Sequence, residues 1–166
     1  MQKSLKEILK QIAALEQQKE EVLSDEVQNS ITRYESNEEV PESEYDFNAT
    51  REKIEILDNT IRYLRHELHI SNATVQVPDF KITIGECIIM MAQLSKEQAT
   101  LKRMARKEKK ERRQVGFSNT TEWVILNYEK DECRRKLKEI SDKITSIQIA
   151  IDRINLAHKV EVKIFE

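Results

Sequence analysis

Glycine and proline are scarce in this chain, which has only 2 of each among 166 residues, together with 9 aromatic residues. Sheet folds need many turns, which draw on glycine and proline, and strands that are rich in aromatic residues. A β-sandwich or β-barrel is therefore excluded. Loops that cradle phosphate groups need clustered glycines, whereas Gly85 and Gly116 are isolated. We expect a helix-rich protein with long elements and few connections.

The chain also has few cysteines, no long apolar run and little net charge. Cys87 and Cys133 are too few and too far apart to form a disulfide framework or a metal-binding pair. The longest apolar run, residues 87–92, is far shorter than the roughly 18 residues of a membrane span. The N-terminus has no apolar signal segment, and the net charge is −2 at pH 7. We expect a cytoplasmic protein that does not contact a membrane.

Four segments have apolar residues at every third or fourth position, which is the spacing of one face of an α-helix. Stripes this narrow are typical of helical bundles and coiled coils. The stripes comprise Leu5, Ile8, Ile12 and Leu15; Ile54, Leu57, Ile61, Leu64 and Leu68; Ile84, Cys87, Met91, Leu94, Leu101 and Ala105; and Leu137, Ile140, Ile144, Ile147, Ile151 and Ile154. The predicted fold is mainly α, with two antiparallel helical hairpins that form a four-helix bundle or an elongated coiled coil.

Short β segments are expected at the ends of these helices, at residues 31–34, 74–77, 122–126 and 160–165. The chain is expected to form a single helical domain over residues 1–166. Two tandem helical hairpins over 1–82 and 83–166 are the other arrangement. A shift of 83 residues aligns the second helix with the fourth, but five identities in 28 positions leave duplication and independent coiled-coil patterning both open.

Some helix ends can be predicted from local signals. Thr83 and Glu86 have the spacing of a capping box, in which each side chain binds the backbone amide of the other residue. Asp46 or Asn48 is expected to cap the second helix, because both residue types favour that position. The third helix is expected to continue as far as Arg113.

Four segments carry a resemblance to a known family: residues 68–74 (LHISNAT), 82–86 (ITIGE), 120–127 (TTEWVILN) and 151–155 (IDRIN). Their order resembles the septicolysin-like family of small bacterial coiled-coil proteins. The resemblance spans most of the chain. The family has no established biochemical activity, so the resemblance implies no catalytic or binding residue.

The candidate chemical groups do not assemble into a catalytic set. His66 and His69 are three positions apart, whereas the helical zinc-protease motif has its histidines four apart, so a solvated helix face is favoured over a metal site. Cys133 lies beside Arg134 and Arg135, which favour a lowered thiol pKa, but no histidine is adjacent to act as a base. We therefore predict that the protein is not an enzyme and binds neither metal nor cofactor.

The strongest charge feature is a basic stretch at Lys102–Arg113, where eight of twelve residues are basic and two are acidic. Such a stretch can bind nucleic-acid phosphates, although no aromatic residue interleaves it and no base-reading motif is present. A solvated helix end or a surface for a protein partner is favoured. The basic residues are Lys102, Arg103, Arg106, Lys107, Lys109, Lys110, Arg112 and Arg113.

A candidate interface is formed by Ile89 and Met90 on the third helix and Ile149 on the fourth, because all three fall outside the predicted seams. Exposed apolar patches usually mark interfaces, so we expect the chain to self-associate there. The alternative is that the predicted strand at 160–165 covers the patch.

At the opposite end we expect a small packed cap, in which the strands at 31–34 and 122–126 bring the acidic loop (residues 30–46) near the basic stretch. The alternative is an acidic loop without fixed structure and a solvated basic helix end. The cap would contain six aromatic residues: Tyr34, Tyr45, Phe47, Phe117, Trp123 and Tyr128.

The sequence therefore favours a structural or interaction protein, a self-associating cytoplasmic coiled coil that acts through protein–protein contacts. A homo-oligomer and a further, unknown protein partner are expected. The alternative function is that of a nucleic-acid-associated protein that uses the basic stretch.

Overall fold

The computed structural model describes residues 1–114 and 121–163, about two-thirds of which are helical. This confirms a mainly α protein with short antiparallel strands. The described helices are α1 (Leu5–Asn29), α2 (Phe47–Thr74), α3 (Ile84–Arg106) and α4 (Lys130–Ala157). The described strands are β1 (Gln2–Ser4), β2 (Gln76–Val77), β3 (Ile82–Thr83), β4 (Lys110–Gln114), β5 (Thr121–Ile125) and β6 (Lys159–Glu161).

The strands form three separate antiparallel pairs, β1 with β6, β2 with β3 and β4 with β5. The chain divides into two compact units. Unit 1 comprises Met1–Thr74 and Ile154–Glu166, and unit 2 comprises Val75–Arg153. The tandem hairpins over 1–82 and 83–166 stay a prediction.

Unit 1 is built on the antiparallel contact of α1 with α2. The predicted stripes supply its core, in which Leu5, Ile8 and Leu64 are fully buried. Two ion pairs link the helices beside this core: Lys19 Nζ lies 2.6 Å from Asp58 Oδ1, and the guanidinium of Arg65 contacts Glu16. Both pairs are partly exposed, so each contributes at most about 1 kcal/mol, and the apolar core supplies most of the stability.

The two chain ends close unit 1 through the pairing of β1 with β6. Gln2 lies opposite Glu161, and the amide of Val162 donates to the carbonyl of Met1 at 2.8 Å. The side chain of Val162 is buried. The amide of Lys163 donates to the hydroxyl of Tyr63 on α2 at 3.1 Å, which ties the end of the chain to the helix.

Unit 2 begins with a tight turn between β2 and β3. The amides of Phe80 and Lys81 both donate to the carbonyl of Val77, at 3.1 and 2.8 Å, and Lys81 adopts a left-handed backbone with φ of 56°. Val77, Ile84 and Cys87 are fully buried, so the turn and the first residues of α3 contribute to the core of this unit.

α3 and α4 run antiparallel, and contacts at the C-terminal half of α3 join the two helices. The Tyr128 hydroxyl donates to the Met104 carbonyl at 2.8 Å, and Gln98 Nε2 donates to Ser141 Oγ at 2.9 Å. Near the start of the unit, Arg153 Nη1 lies 3.7 Å from Asp79 Oδ2. These contacts fix the level of each residue on one helix relative to the other.

Capping boxes start α1 and α3. In the predicted box, the Thr83 amide donates to Glu86 Oε2 at 2.8 Å and the Glu86 amide donates to Thr83 Oγ1 at 3.2 Å. An equivalent box joins Ser4 and Glu7. The Ser-x-x-Glu spacing is present in the sequence, so the same signature predicts this second box. Asp46, not Asn48, caps α2, since Asp46 Oδ1 accepts from the Asn48 amide at 2.9 Å.

The prediction that the third helix reaches Arg113 is wrong. α3 ends at Arg106, where the Lys107 amide donates to the Met104 carbonyl at 3.1 Å, and the chain then forms β4. No apolar residue follows Ala105 in the basic stretch, so a longer helix would have no face to bury. Pairing with β5 satisfies the backbone of these polar residues instead.

The predicted strand at 31–34 is also wrong, whereas the packed aromatic cap, whose parts belong to different units, stays a prediction. Ile31 and Tyr34 are exposed and form no strand, and the strand predicted at 122–126, β5, pairs with β4. Phe47 and Trp123 are exposed, and Phe117 lies outside the described residues. The other predicted strands form near the expected positions, as β2, β5 and β6.

Both cysteines are free thiols on the inner side of unit 2. Cys87 is fully buried, and burial together with the nearby Glu86 carboxylate raises the pKa of its thiol. Cys133 is buried, and its Sγ donates to the Leu101 carbonyl at 3.5 Å. A buried thiol with a raised pKa is a poor nucleophile, so Cys87 does not have the setting of a catalytic group, and burial shields Cys133 from reagents.

The capping boxes make stability depend on pH. Hydrogen bonds from the amide and hydroxyl of Thr83 hold the pKa of Glu86 below its usual value. The stabilisation is therefore complete at pH 7 and is lost as the pH falls through the lowered folded-state pKa. We expect Thr83→Ala to lower the free energy of unfolding by about 1 kcal/mol at pH 7. We expect the cost of Glu86→Ala to shrink in acid, measured by urea denaturation at several pH values.

The control is Glu97→Ala, which removes an exposed carboxylate from the same helix but touches no capping residue. If the destabilisation by Glu86→Ala were the same at pH 7 and in acid, Glu86 would not stabilise the helix as an ionised acceptor.

The burial of the cysteines predicts their reactivity. In the native protein we expect neither Cys87 nor Cys133 to react with an aromatic disulfide reagent within minutes, because the reagent cannot reach either sulfur. In concentrated urea both thiols should react at once. Fast release of one equivalent from the native protein, abolished by Cys133→Ser, would instead identify an accessible thiolate at that position.

Candidate functional site

The β4–β5 ribbon is the most unusual feature of unit 2, because nine of its ten residues are exposed and the tenth, Thr121, is half-buried. In its register Lys110 lies opposite Ile125, and Arg112 opposite Trp123. Side chains alternate between the two faces of a strand, so these four side chains share one face of the ribbon. We call this face the basic–aromatic face: Lys110, Arg112, Trp123 and Ile125.

The basic–aromatic face combines positive charge with an exposed indole ring. The Lys110 ammonium lies 4.2 Å from the centre of the Trp123 ring, which is a cation–π contact, and Arg112 Nη2 donates to Thr121 Oγ1 at 3.3 Å. Trp123 remains 58% exposed and Ile125 62% exposed. A ring that is held by a cation yet largely open to solvent is positioned to stack on a ligand.

The opposite face of the ribbon is different. It carries Glu111, Arg113, Glu122 and Val124, and Arg113 Nε lies 3.8 Å from Glu111 Oε1. Two carboxylates balance the single arginine there. The net positive charge of the ribbon therefore lies on the basic–aromatic face.

Contacts at its base join the ribbon to the helices. The amide of Leu126 donates to the Lys109 carbonyl at 3.2 Å, and the Tyr128 hydroxyl donates to the last turn of α3. Desolvation of this hydroxyl, with a smaller effect of Cys133, raises the pKa of Tyr128, so it stays a hydrogen-bond donor at neutral pH. Isolated two-stranded ribbons are marginally stable, and these anchors help to hold this one in place.

All eight basic residues predicted as a surface are exposed, but they belong to different elements. Lys102, Arg103 and Arg106 lie on α3, Lys107 and Lys109 in the connection, and the other three on β4. The basic stretch itself contains no aromatic residue. Cross-strand pairing brings Trp123 to it from the following strand. The sequence signal for this pairing is weak, because residues 110–114 are all polar and lack the alternation of a half-buried strand.

The predicted interface residues lie on the outer sides of α3 and α4. Ile89 is 60% exposed, Ile149 is 54% exposed and Met90 is half-buried. Each isoleucine is two residues from a buried seam position, which turns it about 200° away from the seam. None of the described residues covers either isoleucine; Ile164–Glu166 lie outside the described residues.

The helix register places the two isoleucines at the same level of unit 2. Gln98 contacts Ser141, and the helices run in opposite directions. Ile89 is nine residues before Gln98, and Ile149 is eight residues after Ser141. Ile88 is also exposed. The outer surface of unit 2 therefore carries three exposed isoleucines, Ile88, Ile89 and Ile149.

The remaining candidates show no catalytic arrangement. His66 and His69 are exposed, and the described residues contain no group of three potential metal ligands. An open cleft of about 770 Å³ lies between the end of α1 and the segment before α2. The Glu26 carboxylate in this cleft is already bound by the Tyr45 hydroxyl, at 2.8 Å, and by Arg51.

None of the described helices is long and apolar enough to cross a membrane. No protein-family model matches the chain, and no curated protein matches it. In fold, the chain is similar to a solved structure, a functionally unknown conserved protein from Corynebacterium diphtheriae. The TM-score is 0.69 at 13% identity, and the match covers 97% of this chain and 100% of that chain. At that identity the likeness concerns the fold alone.

Proposed function

We propose that this chain is a cytoplasmic interaction protein without catalytic activity, and that it self-associates through Ile89, Met90 and Ile149. The observation that carries the proposal is the exposure of Ile89 and Ile149 at one level of unit 2. Exposed large apolar side chains that lie outside a core can mark protein–protein contacts. A second copy of the chain presents the same side chains, so a two-fold contact would bury both sets at once.

The size of the patch sets the expected strength of association. Fully burying an isoleucine is worth about 1.5–3 kcal/mol, and these side chains are roughly half exposed, so each would gain about 1 kcal/mol. Four isoleucines in a two-fold contact, Ile89 and Ile149 from each copy, would gain about 4 kcal/mol, against an association cost of about 4–15 kcal/mol. The proposal is therefore a weak, concentration-dependent oligomer, which a further protein partner can strengthen.

We propose further that the helices form a four-helix bundle or an elongated coiled coil, and that the chain is related to the septicolysin-like family. The antiparallel helices and their narrow seams support it. Small-angle X-ray scattering of the monomeric variant described below would distinguish a bundle from an elongated molecule.

The self-association is tested by Ile89→Glu combined with Met90→Glu. Two carboxylates at the centre of an apolar contact would have to be buried without partners, so we expect the dissociation constant to rise at least tenfold. Sedimentation equilibrium over a range of concentrations measures it. Ile149→Glu, on the other helix, should have the same effect if both residues belong to one interface.

The matched control is Ala99→Glu combined with Thr100→Glu, which adds two carboxylates to exposed positions of the same helix about 15 Å further along its axis. This control should associate like the wild type. A wild-type protein that is monomeric at every concentration, or a double variant with unchanged association, would contradict the proposal.

A further inference from the structure

We propose that the β4–β5 ribbon and the end of α3 bind single-stranded nucleic acid. In this arrangement the basic residues contact the phosphates, and a base stacks on the exposed Trp123 ring. The proposal rests on a different surface from the proposed self-association, and it concerns a partner of another chemical class.

The charge distribution is the first observation. Residues 102–125 contain eight basic and three acidic residues, a net charge of +5, within a chain whose net charge is −2. Only Lys109 and Arg113 lie within ion-pair distance of a carboxylate among the described residues, at 4.0 and 3.8 Å. The other six cations of the basic stretch are exposed and have no carboxylate partner in the described ranges, so they are available to a polyanion.

The position of Trp123 is the second observation. Arg112 lies opposite Trp123, and the Lys110 ammonium lies 4.2 Å from the ring centre, so an aromatic surface sits within the positive charge. Proteins that bind single strands combine these two features: a positive surface follows the backbone, and aromatic rings stack on the bases. An unpaired base offers a ring face to the indole, whereas a base inside a duplex offers only its edge.

The exposed Trp123 ring favours single-stranded nucleic acid over other polyanions as the ligand. An acidic polypeptide or an inorganic polyphosphate would use the cations but would leave Trp123 uncovered, because neither contains a ring that stacks on it. The carboxylates of Glu111 and Glu122 on the opposite face repel phosphate, so a strand would bind on the basic–aromatic face alone.

Trp123 is the only tryptophan of the chain, so its intrinsic fluorescence reports directly on the site. We expect a single-stranded oligothymidylate to quench this fluorescence and to bind in a fluorescence-polarisation assay. If four of the unpaired cations contact phosphates, the logarithm of the association constant should fall with the logarithm of the salt concentration with a slope of about −3. Inorganic polyphosphate, poly-glutamate and anionic vesicles are the comparison ligands.

The variants separate stacking from charge. Trp123→Leu keeps an apolar side chain but removes the stacking ring, so we expect about tenfold weaker binding, whereas Trp123→Phe keeps a ring and should retain most of the affinity. Lys110→Glu with Arg112→Glu should weaken binding at least tenfold and make the salt slope less steep. The control is Lys138→Glu with Lys143→Glu, which makes the same charge change at exposed positions of α4 and should leave binding unchanged.

Several results would overturn the proposal. One is an oligothymidylate that neither binds nor quenches Trp123. Another is equal affinity for the oligothymidylate in Trp123→Leu and the wild type. Tighter binding to the matching duplex, to poly-glutamate or to anionic vesicles would assign the surface to that ligand instead. Circular dichroism of each variant confirms that the helices are retained, and the comparison of Trp123→Leu with Trp123→Phe tests the ring even if the double charge reversal unfolds the ribbon.

Discussion

The structure depends on the burial of the first turns of α1 and α3. Both helices carry a narrow apolar stripe, and each begins at a short strand and a capping box. The fully buried residues near these helix starts are Leu5 and Ile8 on α1 and Ile84 and Cys87 on α3. The box satisfies amides that would otherwise have no partner beside the core. Strand pairing then holds each helix start in place, so the apolar seam can form along the rest of the helix.

Burial is much lower at the far ends of the helices. Every residue between Ile31 and Glu44 is exposed, and so is nearly all of the β4–β5 ribbon. The apolar stripe of α3 ends at Ala105, and little apolar surface is left to support packing beyond that point. The side chains of the β4–β5 ribbon therefore contribute little to the core. Their charges and the Trp123 ring are available to a ligand.

The two proposed surfaces differ in physical character and can be separated by solution conditions. The isoleucines of α3 and α4 associate by burying apolar area, which depends weakly on salt. The basic–aromatic face attracts phosphate through charge, which salt screens and counterion release makes steeply salt-dependent. Both surfaces belong to unit 2, and binding at one does not require burial of the residues proposed for the other. A self-associating protein with repeated basic ribbons would bind a long strand with higher avidity than a single copy.

The sequence by itself determined the features that depend on local spacing. The four stripes, the box at Thr83 and Glu86, and the absence of a large sheet follow from periodicity and composition, because a helix is formed by residues that are neighbours in the chain. The exposure of Ile89 and Ile149 follows in the same way, from their positions relative to the seam. Only the tertiary structure decided the partner of β5, the end of α3 and the placement of Trp123. Strand pairing joins residues distant in sequence, and no local pattern distinguished β4 from residues 31–34 as that partner.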